Sequence, residues 1–187
     1  MAGSGKFAAT FPTTYCLLPT TWMRRLPTTD DLLPSTYMRR TIALATENAR
    51  SGRGGPFAAL VVREGRVIAE GANLVTSAND PTAHAEIIAI RHACAALKDF
   101  QLRGCEIYCS AEPCPMCLAA IYWSRAERIY FGASRQDAAA IGFDDVRIYR
   151  EVALPVERRA LPARQLLREE SLESFREWEK KTDKKMY

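Results

Sequence analysis

Two patterns of apolar residues alternate along this chain of 187 residues: one typical of helices and one typical of strands. Apolar positions three to four residues apart, typical of one face of a helix, begin after Ser35, a candidate helix N-cap, and stop near Gly52. The same spacing returns from His84 to Leu97. Short apolar runs between these segments have the length and composition of strands. Strands that alternate with helices predict an α/β sandwich, in which helices cover a sheet and ligands bind at the strand ends.

The apolar runs also give the order of the strands. A turn at residues 64–66 separates the first two and predicts a hairpin, and a loop rich in Asn, Ser, Thr and Gly comes next at residues 71–81. Near the C-terminus, Leu172, Phe175 and Trp178 lie on one stripe and predict an amphipathic helix. Strands are predicted at residues 57–62, 67–69, 105–109, 128–132 and 163–167, and a further helix at residues 114–123.

Composition sets the size of the folded unit. Hydrophobic residues make up 48% of the chain, which is enough for the core of one ordinary domain. Residues 1–34 repeat Thr and Pro without a sustained period, so we expect an N-terminal extension that is disordered or packed on the surface. We therefore divide the chain into this extension, a core at residues 35–154 and a C-terminal segment at residues 155–187.

The charged residues and the cysteines exclude several classes of partner. The formal net charge is +4, and basic residues are interleaved with acidic ones, as where Glu157 precedes Arg158 and Arg159. A nucleic acid normally requires a concentrated basic face, and no apolar run is long enough to span a bilayer, so we expect neither partner. Six cysteines without a disulfide framework, and the lack of a secretory signal, predict the cytoplasm.

Two short segments carry the candidate chemistry. His84 and Glu86 lie at the start of one predicted helix, and Cys114 and Cys117 lie at the start of another. A catalytic zinc ion takes three protein ligands and keeps a fourth position open for water, and one imidazole with two thiolates fits that count. Unpaired amides and the helix dipole favour thiolates at such positions. We predict a Zn²⁺ ion held by His84, Cys114 and Cys117, with Glu86 free for proton transfer.

The two cysteines allow other interpretations. A Cys-x-x-Cys pair alone also occurs in structural zinc sites and in redox dithiols. A structural site closes with four protein ligands, and Cys105 and Cys109 are candidates for the fourth, but their flanks look like a buried strand. A redox dithiol would not explain why His84 and Glu86 occur in the same arrangement.

The spacing matches the His-x-Glu and Pro-Cys-x-x-Cys signature of zinc deaminases that act on nucleobases. From about residue 39 onward the chain resembles the cytidine-deaminase-like superfamily, and most closely its bacterial guanine deaminases. This resemblance implies a three-layer α/β/α fold, whose central mixed sheet has about five strands with helices on both faces. The segments that resemble the guanine deaminases are residues 54–57, 77–86, 117–123, 142–145 and 184–187.

The resemblance implies a reaction in which guanine and water give xanthine and ammonia. Glu86 would take a proton from zinc-bound water, which then attacks C2 of the purine, and would return the proton to the ring. Asp145 would accept from the N–H donors of guanine and assist the release of ammonia. Stacking by Phe57 and Trp123, the side-chain amide of Asn73 and the backbone amide of Ala85 at a helix start complete the predicted substrate contacts, to which the resemblance adds Tyr187.

The same residues have simpler interpretations. Without the resemblance, Phe57 and Trp123 would be assigned to the core, and Asn73 to a loop that it stabilises itself. Asp145 would be a helix cap or turn residue. Glu151 is a weaker candidate for a carboxylate of the site.

The resemblance also implies a homodimer. Residues 155–187 would be exchanged between the subunits, and Tyr187 would close the pocket of the partner. A closed pocket would restrict the substrate to a free base.

Three rival functions remain open. The nearest is a deaminase of another small aminated heterocycle or nucleoside, such as cytosine, adenine or an aminotriazine. A tRNA adenosine deaminase would act on an RNA hairpin and not on free guanine. A noncatalytic, zinc-stabilised interaction protein would keep its function in the Glu86→Gln variant, whereas an enzyme would lose turnover and keep its metal.

Overall fold

A mixed sheet forms the centre of the protein, for which a computed structural model describes residues 34–186. Within this part of the chain the sheet has four strands: β1 (Ala58–Arg63), β2 (Arg66–Ala72), β3 (Cys105–Ala111) and β4 (Arg128–Ala133). Their spatial order is β2-β1-β3-β4. Strand β1 is antiparallel to both β2 and β3, and β3 is parallel to β4. The predicted hairpin and the mixed sheet are confirmed.

Helices lie before, between and after the strands. The first helix begins at Pro34, one residue before the predicted cap, and a short helix interrupts the predicted loop at residues 71–81. A 3₁₀ turn, Val156–Arg158, comes after the sixth helix. The helices are α1 (Pro34–Arg50), α2 (Val75–Ala78), α3 (Ala85–Leu97), α4 (Pro115–Ser124), α5 (Arg135–Ala140), α6 (Asp145–Ala153) and α7 (Arg168–Lys180).

Strand β1 is buried on both faces, and its alternating side chains divide the core into two parts. Ala59 and Val61 belong to a cluster with residues of α3, β3 and α4. Leu60 and Val62 belong to a second cluster, in which Tyr37 of α1 packs against the sheet. Helices therefore cover both faces, and the predicted three-layer α/β/α fold is confirmed.

Helix α3 packs closely on β2 because the strand contains a glycine at the crossing. A Cβ atom at Gly71 would lie 2.1 Å from the carbonyl oxygen of Ala85 and 2.6 Å from the amide nitrogen of Ala89. Only a residue without a side chain fits between the two backbones. This contact fixes the first turn of α3 against the sheet.

The predicted fifth strand, at residues 163–167, is wrong. These residues form no strand, and Leu166 and Leu167 are exposed. A strand needs a hydrogen-bonded neighbour, and among residues 34–186 β4 pairs with β3 alone. The predicted amphipathic helix is confirmed as α7, although none of its residues is buried.

Some of the predicted organisation remains a prediction. The N-terminal extension lies outside the described residues except for Pro34, which begins α1. The division between residues 154 and 155 lies close to the end of α6 at Ala153 but is not tested by it. None of the helices between residues 34 and 186 is long and apolar enough to cross a membrane.

Candidate active site

The candidate zinc ligands lie at the starts of two helices. His84 is the N-cap of α3 and Cys114 is the N-cap of α4, and both have extended backbone angles. Pro115 occupies the first turn of α4, where its missing N–H costs little, and Cys117 lies in the same turn. Both helix N-termini therefore point towards one place, as the sequence predicted.

The three side chains have the geometry that a zinc ion requires. Nδ1 of His84 lies 3.6 Å from Sγ of Cys114 and 3.5 Å from Sγ of Cys117, and all three ligand atoms lie within 4.8 Å of one another. Zinc bonds of about 2.1 Å to nitrogen and 2.3 Å to sulfur, at tetrahedral angles, place those atoms about 3.6 Å apart. The residues present fit a zinc ion with three protein ligands.

The charges of the cluster also suit a cation. Hydrogen bonds from the Cys117 thiol and from His84 lower the pKa of Cys114 to about 4, against the opposing effect of burial. The Cys114 sulfur in turn raises the pKa of His84. The pKa of Cys117 rises, because its thiol is the donor to Cys114 and because it is buried. One thiolate is thus already stabilised, as a metal ligand must be.

Glu86 lies beside this cluster as a buried carboxyl group. It is 8% exposed, and its Oε2 lies 3.4 Å from Sγ of Cys117. Burial raises the pKa of Glu86, and the charge of Cys114 adds to the effect. A carboxyl group with a raised pKa can accept and then donate a proton near neutral pH.

A cavity of about 340 Å³ opens next to the cluster. It brings together side chains from the segment after β2, the start of α3, the end of β3 and the start of α6. Of the predicted site residues, Phe57, Asn73, His84, Glu86, Cys114 and Asp145 line it, together with Gly55, Val75, Thr76, Ser110, Ala111, Glu112 and Phe143.

The side-chain oxygen of Asn73 is occupied by hydrogen bonds, whereas its side-chain nitrogen, Nδ2, remains available to a ligand. Its Oδ1 accepts hydrogen bonds from the backbone N–H groups of Gly55 at 3.2 Å and Val75 at 3.3 Å. Its carbonyl oxygen accepts a bond of 2.8 Å from Nδ2 of Asn48, which also donates to Gly55 O at 2.9 Å. The described residues provide no hydrogen-bond partner for Asn73 Nδ2, so the cavity wall carries a hydrogen-bond donor there.

Two residues that form or support this wall were not identified from the sequence: Phe143 lines the cavity, and Asn48 holds the wall residues Gly55 and Asn73. Asn48 is fully buried on α1, and the signal for it was a polar residue three positions after Ala45 on the apolar stripe. Phe143 lies edge to face with Phe57, with ring centroids 4.6 Å apart and an angle of 83° between the planes. Its segment resembles the guanine deaminases, but nothing in the sequence pairs it with Phe57.

Asp145 and its neighbour Asp144 have different surroundings. Asp145 is the first residue of α6 and lines the cavity, and burial raises its pKa, as does the charge of Cys114. Residues 34–186 provide no hydrogen bond or ion pair to the Asp145 side chain. Asp144 is exposed and pairs with Arg147 at 3.6 Å. Glu151 accepts from the amide of Ala160 at 2.7 Å and does not line the cavity.

Two predicted substrate contacts, Ala85 and Trp123, lie away from the cavity. Ala85 is buried, with its carbonyl oxygen towards Gly71, and it does not line the cavity. Trp123 is 59% exposed and lines a separate apolar groove with Ile90 and Phe100. Tyr187 lies outside the described residues. The roles assigned to these three residues stay predictions.

Comparison with known proteins agrees with this geometry. Residues 33–133 match the cytidine and deoxycytidylate deaminase zinc-binding region. The chain is 49% identical to the guanine deaminase of Bacillus subtilis over 78% of its own length and 94% of that protein. It is 46% identical to a tRNA-specific adenosine deaminase of Agrobacterium fabrum, but over 46% of its length and 57% of that protein.

Solved structures of guanine deaminases are also similar to this chain. The X-ray structure of the B. subtilis guanine deaminase superposes with a TM-score of 0.80, at 48% identity, over 83% of this chain and 99% of the other. A guanine deaminase from Nitrosomonas europaea superposes with a TM-score of 0.60, at 36% identity, over 65% of this chain and 69% of the other. In sequence, the similarity to the B. subtilis guanine deaminase extends over more of the chain than the similarity to the tRNA-specific adenosine deaminase of A. fabrum.

Proposed function

Because the chain belongs to the cytidine and deoxycytidylate deaminase family of zinc-binding proteins, we propose that it is a zinc-dependent guanine deaminase, which converts guanine and water into xanthine and ammonia. The observation that carries the proposal is the placement of the Asp145 carboxylate in the cavity of His84, Cys114 and Glu86. The match to the guanine deaminase of B. subtilis over 94% of that protein supports the choice of substrate.

A bound zinc ion supplies a Lewis acid, which makes water a nucleophile at neutral pH. Glu86 takes the proton of the attacking water on its carboxylate and gives it to the purine ring, because its raised pKa suits both steps. The same carboxyl group is therefore base first and acid afterwards. Its burial keeps bulk water from exchanging that proton.

The remaining cavity residues orient the base. The free Nδ2 of Asn73 donates to an acceptor on the edge of the purine, and the Phe57 ring, braced by Phe143, offers an apolar face. Asp145 accepts from the N–H groups of guanine, which cytosine does not present in the same pattern, and then assists the departure of ammonia. Recognition of a purine thus combines a donor, Nδ2 of Asn73, with an acceptor, the Asp145 carboxylate.

A substrate panel tests the proposed function. The zinc-loaded protein is incubated separately with guanine, adenine, cytosine, guanosine, an aminotriazine and a tRNA anticodon hairpin, and ammonia and products are quantified. We expect xanthine from guanine at a rate at least tenfold above any other conversion. Activity confined to the hairpin would instead indicate a tRNA adenosine deaminase, and activity confined to another small compound would change the substrate.

The assembly is proposed to be a homodimer that exchanges residues 155–187. The support is that α7 buries no residue within its own chain, while Phe175, Trp178, Leu166 and Leu167 are exposed. Exposed apolar side chains in such number mark a surface that another chain covers. In this arrangement Tyr187 closes the cavity of the partner.

Mixing two defective variants tests the exchange. Glu86→Gln has an intact tail and an inactive core, whereas deletion of residues 184–187 leaves an intact core without a tail. If the tail acts on the partner, mixed dimers regain one complete site, and activity rises above the sum of the two separate proteins. Activity equal to that sum, or full activity of the truncated protein alone, rules out a tail that acts in trans.

We also propose a cytoplasmic location. The cysteines among the described residues are all free, namely Cys94, Cys105, Cys109, Cys114 and Cys117, and free thiols persist in a reducing compartment. Fractionation of cells that produce the protein would test this location.

A further inference from the structure

A bridge of three side chains joins residues 112–114, which we call the cysteine loop, to α6, the helix that carries Asp145. The bridge consists of Glu112, Arg135 and Tyr149. Glu112 stands just before Pro113 and Cys114, and Arg135 begins α5. Arg135 donates from Nε to Oε1 of Glu112 at 3.0 Å, from Nη2 to the same oxygen, and from its backbone N–H to Oε2 at 3.1 Å. Both carboxylate oxygens are therefore occupied by one residue.

Tyr149 completes the bridge from α6. The guanidinium carbon of Arg135 lies 3.9 Å from the centre of the Tyr149 ring, and the Tyr149 hydroxyl donates to the carbonyl oxygen of Pro113 at 2.8 Å. Tyr149 lies one helical turn after Asp145, so the two side chains are on the same face of α6. One face of α6 is thus fastened to the residue that precedes Cys114.

The bridge is partly shielded from water. The side chain of Glu112 is 17% exposed and that of Arg135 is 32% exposed. Charge-assisted hydrogen bonds and cation–π contacts are stronger and more rigid where water is partly excluded. Asp145, in contrast, has no hydrogen-bond or ion-pair partner within residues 34–186, so its position depends on the placement of α6.

We propose that Arg135 and Tyr149 are positioning residues, which hold the Asp145 carboxylate at its working distance from Cys114 and the metal cluster. The inference rests on the proposed function, because it takes Asp145 to contact guanine. Glu112 supplies the fixed point on the cysteine loop, Arg135 connects the loop to the Tyr149 ring, and the Tyr149 hydroxyl fixes the rotation of α6.

A double-mutant cycle on guanine deamination tests the inference. Tyr149→Phe keeps the ring beneath Arg135 and removes only the bond to Pro113. We expect kcat/KM to fall about 3- to 10-fold, with kcat more affected than KM, because a displaced Asp145 also assists ammonia release less well. In the Asp145→Ala background the same substitution should have no further effect, since its target is gone. Arg135→Lys, which keeps the charge but not the stacked plane, should show the same pattern.

The opposite end of the sheet provides a matched control. There Arg128 lies near Glu106 and beside the ring of Tyr130, away from the cavity. Tyr130→Phe and Arg128→Lys should leave kcat/KM within twofold of the wild type in both backgrounds. Zinc content per chain and the dissociation constant of xanthine are measured for every variant, with unchanged zinc and weaker xanthine binding expected for Tyr149→Phe and Arg135→Lys.

The outcomes separate this inference from the proposed function. A wild-type protein that does not deaminate guanine overturns the proposed function and the inference with it. A wild-type protein that is active, with Tyr149→Phe and Arg135→Lys at the wild-type rate, overturns the inference alone. Equal losses with and without Asp145, or losses that track the zinc content, assign the bridge a purely structural role and also overturn it.

Discussion

A glutamate, an arginine and a tyrosine come together at each of the two ends of the parallel strands β3 and β4. At the N-terminal end, Glu106 and Arg128 are register partners, with Arg128 Nη1 3.6 Å from Glu106 Oε1 and 5.9 Å between the guanidinium and the Tyr130 ring. At the C-terminal end, the Glu112–Arg135–Tyr149 bridge has three donated hydrogen bonds from Arg135 to Glu112 and a ring distance of 3.9 Å.

The difference between the two ends arises from the helices at the C-terminal end of the strands. After β3 and β4 the chain enters α4 and α5, and the start of each helix brings unpaired N–H groups and a partial positive charge to that end. Arg128 is 64% exposed and its glutamate 32%, against 32% and 17% for Arg135 and Glu112. The same residue types therefore form an exposed group at one end, where Arg128 donates to the Tyr130 hydroxyl at 3.0 Å, and a more buried bridge with more hydrogen bonds at the other.

Substitution of one glutamate on each side, Glu86 in the cavity and Glu106 at the N-terminal end of β3, should give the largest contrast. Glu86→Gln removes the proton carrier, so kcat for guanine should fall about 10³-fold while the zinc content stays unchanged. Glu106→Gln changes a glutamate at the other end of β3 and should leave kcat within twofold. The measurement is xanthine formation by absorbance, with zinc determined on the same samples. A loss below tenfold for Glu86→Gln would remove Glu86 from the proposed mechanism.

Removal of zinc should loosen one end of the sheet and not the other. Ligand binding to the folded state stabilises it, so a chelator should lower Tm by about 5 to 10 °C. Hydrogen exchange should accelerate at the first turns of α3 and α4 and remain unchanged around Glu106 and Arg128. Uniform acceleration along the whole of β3 would contradict a metal confined to the C-terminal end.

The cavity wall should also depend on Asn48. In Asn48→Ala the carbonyl oxygens of Gly55 and Asn73 lose their donor, and the free energy of unfolding should fall by about 2 to 3 kcal/mol. Because Asn73 then loses its fixed orientation, KM for guanine should rise about threefold. Thr46→Ala, which removes an exposed hydroxyl of the same helix, is the control for both quantities. An unchanged KM would mean that Asn73 is held without Asn48.

The smallest effect is expected at the N-terminal end of the sheet. Arg128→Gln breaks an exposed pair, which contributes little because water and salt screen it. Tm should change by less than about 2 °C and kcat should not change. A larger shift in Tm, measured by calorimetry at low and high salt, would show that the two ends are more alike than their exposure suggests.

Local patterns predicted the metal cluster and the layers of the fold. His84, Cys114 and Cys117 could be placed at helix starts because the sequence around them carries the start signals of a helix, such as Pro115. The two strands of the hairpin could be placed because a short turn separates them. In each case the deciding residues are neighbours along the chain.

Features that depend on distant partners were missed or wrong. Asn48 holds Asn73 from another element, and Phe143 meets Phe57 across the cavity, so neither has a local signal. The segment at residues 163–167 has strand-like composition, but within residues 34–186 it pairs with no strand. Trp123 lines a groove with Phe100 in this chain, and its predicted contact with the substrate stays a prediction.

X-ray absorption at the zinc edge of the active protein tests the central claim most directly. The account predicts one zinc ion per chain, with two sulfur neighbours at about 2.3 Å and the remaining neighbours, nitrogen or oxygen, at about 2.0 to 2.1 Å. Substitution of Cys117 by serine should remove one sulfur from that shell, whereas Cys109→Ser should not. Active protein without zinc, or a shell of four sulfur and imidazole ligands, would contradict a catalytic centre built from His84, Cys114 and Cys117.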